Sequence, residues 1–156
     1  MKLILLTVGK TDVPWVREGL QLYAARLQHY ARFTIKEIPE LKNAAALSEE
    51  QIKAKEGVLI LKEAEGTDMI LLDEHGKEYR SMEFAGELQN RLNRGGKDIC
   101  FVIGGAYGFS PEVYAKAAGK LSLSRMTFSH QMVRAVFAEQ LYRAFTIIKG
   151  EPYHHE

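Results

Sequence analysis

Cysteine is almost missing from these 156 residues: the single thiol, Cys100, lies inside an apolar run. One cysteine excludes an internal disulfide, and its neighbours mark it as a buried, reduced side chain rather than a nucleophile, which suits a reducing compartment. An excess of charge is missing as well. Lys and Arg number 21 against 20 Asp and Glu, a formal net charge of +1, far from the basic balance of a free-standing nucleic-acid binder. No apolar run approaches the ~20 residues of a membrane span, and Leu3–Val8 is too short for a signal-peptide core, so a cytoplasmic chain without a membrane partner is expected. Repeats, low-complexity tracts and linkers are also lacking. What remains, 46% hydrophobic and 26% charged residues, fits one domain over 1–156 with a real core.

Strand and helix patterns alternate along the chain. Lys2–Val8 reads as an apolar strand broken by Gly9; Asp12 before Pro14 opens a helix to about His29, with Val16, Leu20, Tyr23 and Leu27 at helical spacing. Phe33–Ile38 alternates like a strand, and Ser48 with Gln51 forms a capping box for the helix carrying Ile52 and Leu59. Asp68–Asp73 is a third strand closed by a turn at His75 and Gly76. Ser81 caps a helix striped by Phe84, Leu88 and Leu92 and ended by Gly95 and Gly96. Asp98–Ile103, a helix from Ser110 and Pro111 to about Ala118, and a short strand Leu121–Leu123 follow. Such alternation predicts an α/β fold with a mainly parallel sheet of five to six strands and helices on both faces. Ligands gather at the carboxyl ends of such strands, here Leu72-Asp73, Ile103-Gly104-Gly105 and Leu123-Ser124.

The glycine loop Gly104-Gly105-Ala106-Tyr107-Gly108 admits two readings, a plain turn or a place where a ligand approaches the main chain with no Cβ in the way. Its position between an apolar strand and a capped helix favours the second. It lacks the lysine and hydroxyl of a triphosphate loop, and it is not the GxGxxG dinucleotide fingerprint after a first strand. A nucleoside without a phosphate chain fits better.

The last helix, from about Gln131 to Lys149, is apolar on nearly every side, so one face covers the sheet and another calls for a second chain. A homodimer is expected. His130 precedes this helix as a cap or a catalytic group. Arg134 and Arg143 are half a turn out of phase and form no basic stripe. Glu139, Gln140 and Arg143 suit a network between helices. Adjacent His154 and His155 point in different directions, and no further ligands complete a zinc shell, so no metal is expected.

Taken together, LLD at 71–73, FVIGGAYGFS at 101–110, LSLSRMTFSHQMVR at 121–134, AEQLYRA at 138–144 and PYHHE at 152–156 resemble the RlmH family. These are small SPOUT-superfamily methyltransferases acting on N3 of a pseudouridine in 23S ribosomal RNA. The resemblance runs from KLILLTVGK to the end. It implies a SPOUT α/β fold with a C-terminal trefoil knot, a homodimer, and S-adenosyl-L-methionine as cofactor. It places cofactor contacts at Leu72, Gly104, Leu123, Ser124, Arg125, Met126, Thr127 and Phe128. For the reaction, Arg134 is the candidate to hold negative charge on the base or a phosphate, His130 or His154 to handle the proton, and Tyr153 to stack on a base. Near-neutral charge makes the assembled large subunit or 70S ribosome a better substrate than free RNA.

Overall fold

The alternation is realised in full. A computed structural model describes residues 1–156 and contains β1 (Lys2–Val8), α1 (Pro14–Leu27), β2 (Arg32–Ile38), α2 (Glu49–Glu63), β3 (Asp68–Glu78), α3 (Ser81–Arg94), β4 (Ile99–Ile103), α4 (Pro111–Lys116), β5 (Gly119–Ser122) and α5 (Met132–Ile148). The five strands form one sheet in the order β2-β1-β4-β3-β5, every pair parallel.

Side-chain alternation sorts each strand between two apolar layers. Leu3, Leu5, Ile70 and Phe101 face α1, α3 and α5, whereas Ile4, Leu6, Leu71 and Val102 face α2 and α4. With both faces covered, β4 is buried at every position, which is why it reads as an unbroken apolar run. Cys100 is part of that run and fully buried, its thiol pushed up to about 12 by burial. It is inert packing.

Two of the expected caps form. Ser48 Oγ accepts from the Gln51 amide at 3.2 Å while Gln51 Oε1 accepts from the Ser48 amide at 2.8 Å, and Ser110 Oγ accepts from the Val113 amide at 3.3 Å. Two do not. Ser81 is already helical, and Arg80 stands at the cap, its amide donating to Glu83 Oε1 at 2.8 Å. At the start of α1 the cap position falls on Val13, whose side chain has no acceptor to offer; the Asp12 amide donates to Gln131 Oε1, 3.1 Å away, tying the β1–α1 loop to the start of α5. Boundaries also move: α1 stops at Leu27, and β5 begins at Gly119.

The third strand departs furthest from expectation. It pairs with β5 through Leu72, leaves the ladder at residues 73–76, and rejoins it at Lys77 and Glu78. The anticipated turn at His75-Gly76 is thus a bulge inside a longer strand. Gly76 permits this because a Cβ there would stand 2.7 Å from the Lys120 carbonyl carbon. The bulge aims residues 73–75 outward at the sheet's carboxyl edge.

Helix α5 lies over the sheet with α1 and α3 packed against it. These neighbours absorb much of the apolar surface that suggested a second chain: Tyr142 meets Tyr23 and Tyr30 at ring-centroid distances of 5.8 and 6.0 Å. Trp15 and Leu22, seven residues apart on one face of α1, stay 58% and 49% exposed, with Met132 of α5 at 40%. No helix is long and apolar enough to cross a membrane.

Candidate active site

The carboxyl ends of β3, β4 and β5 surround a cavity of about 470 Å³. The β3 bulge, the glycine loop after β4 and the segment between β5 and α5 form its walls. Gly105 sits directly on the Glu56 carboxyl group of α2, where a Cβ would come within 2.7 Å of Oε2. Glu56 is buried with Oε1 unpaired; burial, then the nearby Glu40, pushes its carboxyl up. A side chain at 105 would have to displace the Glu56 carboxyl group, so glycine suits the site, and the main chain lines the cavity.

The polar side of the cavity comes from the bulge. Asp73 accepts hydrogen bonds from the Tyr114 hydroxyl and, at 2.9 Å, from the His75 amide. Burial alone raises the Asp73 carboxyl, but these two bonds and the His75 ring outweigh it and hold the group below the usual carboxylate range. Burial and the Asp73 partner push the Tyr114 hydroxyl up to about 12. Glu74 accepts from the Thr127 hydroxyl, stitching the bulge to the β5–α5 segment. The lining includes Asp73 and Glu74 but no lysine or arginine. Its electrostatics favour a cationic ligand and oppose a phosphorylated one.

Of the residues singled out from sequence, Leu72, Gly104, Leu123, Ser124, Met126, Thr127, Phe128 and His130 line this cavity. Arg125 does not; its side chain is 86% exposed with Nε 3.7 Å from Glu78 Oε1. Glu74, His75 and Tyr114 were not singled out as site residues, and Asp73 was named only as the end of a strand, since a bulge and a short helix carry no local signature of a shared cavity. The position of Asp73 at the carboxyl end of an apolar strand was the available signal.

Arg134 departs from its expected place. It is fully buried, and its guanidinium donates to Val8 O at 2.9 Å, Gly9 O at 3.0 Å, Thr11 Oγ1 at 2.8 Å and His130 O at 2.9 Å. Glu37 Oε2 stands 3.8 Å away. Burial lowers the guanidinium's proton affinity, against Glu37, Asp12 and Glu40, which raise it. With its donors turned to the main chain, Arg134 locks the end of β1 to the turn carrying His130. It does not face the cavity.

Tyr153 and His154 also lie outside the cavity lining. The tail folds onto α5 and α1: Tyr153 donates to Glu139 Oε2 at 2.6 Å, Arg143 donates to the same oxygen at 2.8 Å, and Arg143 Nη1 lies 3.0 Å from His154 Nδ1. Burial and the Glu139 bond drive the Tyr153 hydroxyl strongly upward. His154 Nε2 is buried without a hydrogen-bond partner. Glu139, Gln140 and Arg143 do form a network, with Gln140 donating to Glu139 Oε1 at 2.9 Å, but within α5 rather than between helices; only Tyr153 of the tail extends it to Tyr23 of α1. No three His, Cys, Asp or Glu side chains converge as a metal-ligand set.

Comparison with known proteins supplies the context for this geometry. Residues 1–154 match the family described as "Predicted SPOUT methyltransferase". A protein of Christiangramia forsetii named "Ribosomal RNA large subunit methyltransferase H" is 53% identical over 156 residues, covering 99% of both chains. Proteins of the same name from Flavobacterium johnsoniae and Parabacteroides distasonis are 53% and 51% identical over the whole of each chain. A solved structure, a probable methylase family protein from Haemophilus influenzae, shares the fold at 11% identity with a TM-score of 0.50, over 99% of this chain and 70% of that one. A family match over nearly every residue, with relatives about half identical from end to end, makes this chain a member of the SPOUT methyltransferase family.

Proposed function

We propose that this protein transfers a methyl group from S-adenosyl-L-methionine to N3 of a pseudouridine in 23S ribosomal RNA, as a homodimer acting on the assembled large subunit or 70S ribosome. The observation that carries this reading is the cavity itself, in a chain of the SPOUT methyltransferase family: a position where three parallel strands end or bulge, apolar walls, two carboxylates and no lysine or arginine. That donor set fits a nucleoside bearing a sulfonium and no phosphate. Leu72, Gly104, Leu123, Ser124, Met126, Thr127 and Phe128 would hold it, largely through main-chain groups and apolar contact. The bound cofactor supplies an electrophilic methyl group.

The chain's own residues then have separable tasks. Asp73 and Glu74 provide fixed negative potential beside the cationic ligand. His130 lines the cavity, and in this reading it takes the proton that N3 must lose. Arg134 acts as a positioning residue, fixing the His130 turn against β1. Tyr153 and His154 sit against α1 and α5, away from the cavity lining of their own chain, so a role in catalysis would be toward the cavity of a second chain, packed through a face that includes the exposed Trp15 and Leu22. The C-terminal trefoil knot belongs to the same reading.

The test is transfer of labelled methyl from S-adenosyl-L-methionine to ribosomes from cells lacking the modification, with the labelled nucleotide mapped. Label at N3 of a 23S pseudouridine is expected. No transfer to ribosomes that a known relative does modify would leave a ribosome-binding factor in its place.

A further inference from the structure

A second cavity, of about 260 Å³, opens beneath α3 beside the edge strand β5. Its floor is apolar, with Ile70, Leu88, Phe101 and Leu121; Tyr79 and Phe84 form an aromatic wall, their ring centroids 6.0 Å apart. Lys77, Arg91 and Lys120 line it, against one acid, Glu87. Glu87 is already paired, its Oε1 3.0 Å from Arg91 Nε. The unpaired charge of the lining is therefore positive, the opposite of the first cavity. Leu121 lines both cavities, so only strand β5 separates them, and Lys120 of that strand lies 5.6 Å from the ring of Tyr114, which lines the first.

The size decides what such a site takes. Sites for drug-sized ligands run to ~300–1,000 Å³, so this cavity suits one flat ring system rather than a whole cofactor. Aromatic walls, an Arg guanidinium and flanking lysines are the features by which proteins capture an unpaired base and its phosphate. We propose that this cavity is a second RNA subsite, taking an unpaired nucleotide of the substrate near the one to be methylated, with its base against Tyr79 and its phosphate on Lys77 and Lys120. This rests on the reading of the protein as a ribosomal RNA methyltransferase. It gives a near-neutral protein a local basic contact where the overall charge offers none.

The test uses the full-length protein and intact undermethylated ribosomes. Replacing both exposed lysines, Lys77→Glu with Lys120→Glu, is expected to raise the KM for ribosomes at least about tenfold and to flatten the salt dependence of binding by roughly two units of log-log slope. Cofactor affinity is expected to stay within about twofold of the parent protein. Tyr79→Phe should keep the parent KM and Tyr79→Ala should not. A photo-crosslinking residue at position 79 should attach to ribosomal RNA close to the methylated nucleotide. An unchanged KM and salt slope in the double variant overturns the proposal, as does attachment only to a ribosomal protein, which would make the cavity a protein-docking site. If the parent protein transfers no methyl to these ribosomes, both readings fall; if it transfers normally and the variants match it, only the second subsite falls.

Discussion

Arg134 shows how much one buried side chain can organise. Removing it takes a charged donor from the carbonyls of Val8, Gly9 and His130 and from the Thr11 hydroxyl; of these, Gly9 keeps a bond from the Thr7 hydroxyl at 3.3 Å. Arg134→Ala is expected to cost about 3–5 kcal/mol in chemical denaturation, as for one partner lost from a buried ionic network. Arg134→Lys keeps the charge but not the fork, so an intermediate loss is expected; equal stability of all three proteins would contradict the role assigned here. Asp73 makes a different prediction. Its carboxyl is held below its unfolded value of ~3.9, so it stabilises the fold above that pH, and the contribution disappears as pH falls through the lower folded value. Tyr114→Phe removes the hydroxyl bond and should cost roughly 1 kcal/mol near neutrality, with the gap to the parent closing below about pH 4. A constant gap down to acid pH would show that Asp73 ionisation is not involved.

Among the elements, the glycines separate constraint from tolerance. Gly76→Ala drives a Cβ into the β5 main chain, which cannot yield as a side chain can, so the rejoined β3–β5 ladder and the bulge carrying Asp73 should both suffer. Gly86 in α3 has nothing within 4 Å of an added Cβ; Gly86→Ala is expected to stabilise by about 0.5–1 kcal/mol. Thermal melts of the two variants should move in opposite directions. The same contrast explains what could be read without coordinates. Each strand and helix was legible because apolar spacing and the Ser48 and Ser110 caps act locally. The extension of β3 past His75 was not, since it depends on pairing with Leu121 and Ser122, some 45 residues later. The three cavity-forming loops followed from a rule about parallel sheets, whereas the burial of Arg134 depends on carbonyls about 125 residues away. Resemblance pointed to residues 123–128, all of which except Arg125 line the cavity, but could not show that Arg125 points outward.

At the scale of the whole molecule, the tail and the cavity lie on different surfaces of one chain, which makes pairing of chains testable by function. Chains carrying His130→Ala and chains carrying His154→Ala should each be nearly inactive alone. Randomly mixed, half the dimers contain one of each, and one of their two sites is intact, so activity should recover to roughly a quarter of the parent value. No recovery, with mixed dimers demonstrated by mass, would place both groups in a single chain's site.

The strand order carries a last consequence, for the time course of synthesis. β4 lies between β1 and β3, and β3 has no other neighbour except β5, which is made later still. A nascent chain that has emerged only as far as Asp98 can pair β1 with β2, but the other edge of β1 stays open and β3 stays unpaired. The sheet closes only when residues 99–103 arrive, joining β1 to partners nearly a hundred positions away. Such long-range closure is slow and leaves apolar strand edges exposed meanwhile. Ribosome-bound fragments ending before residue 99 should therefore be readily cut by protease and captured by chaperones, with resistance appearing only after the chain is nearly complete.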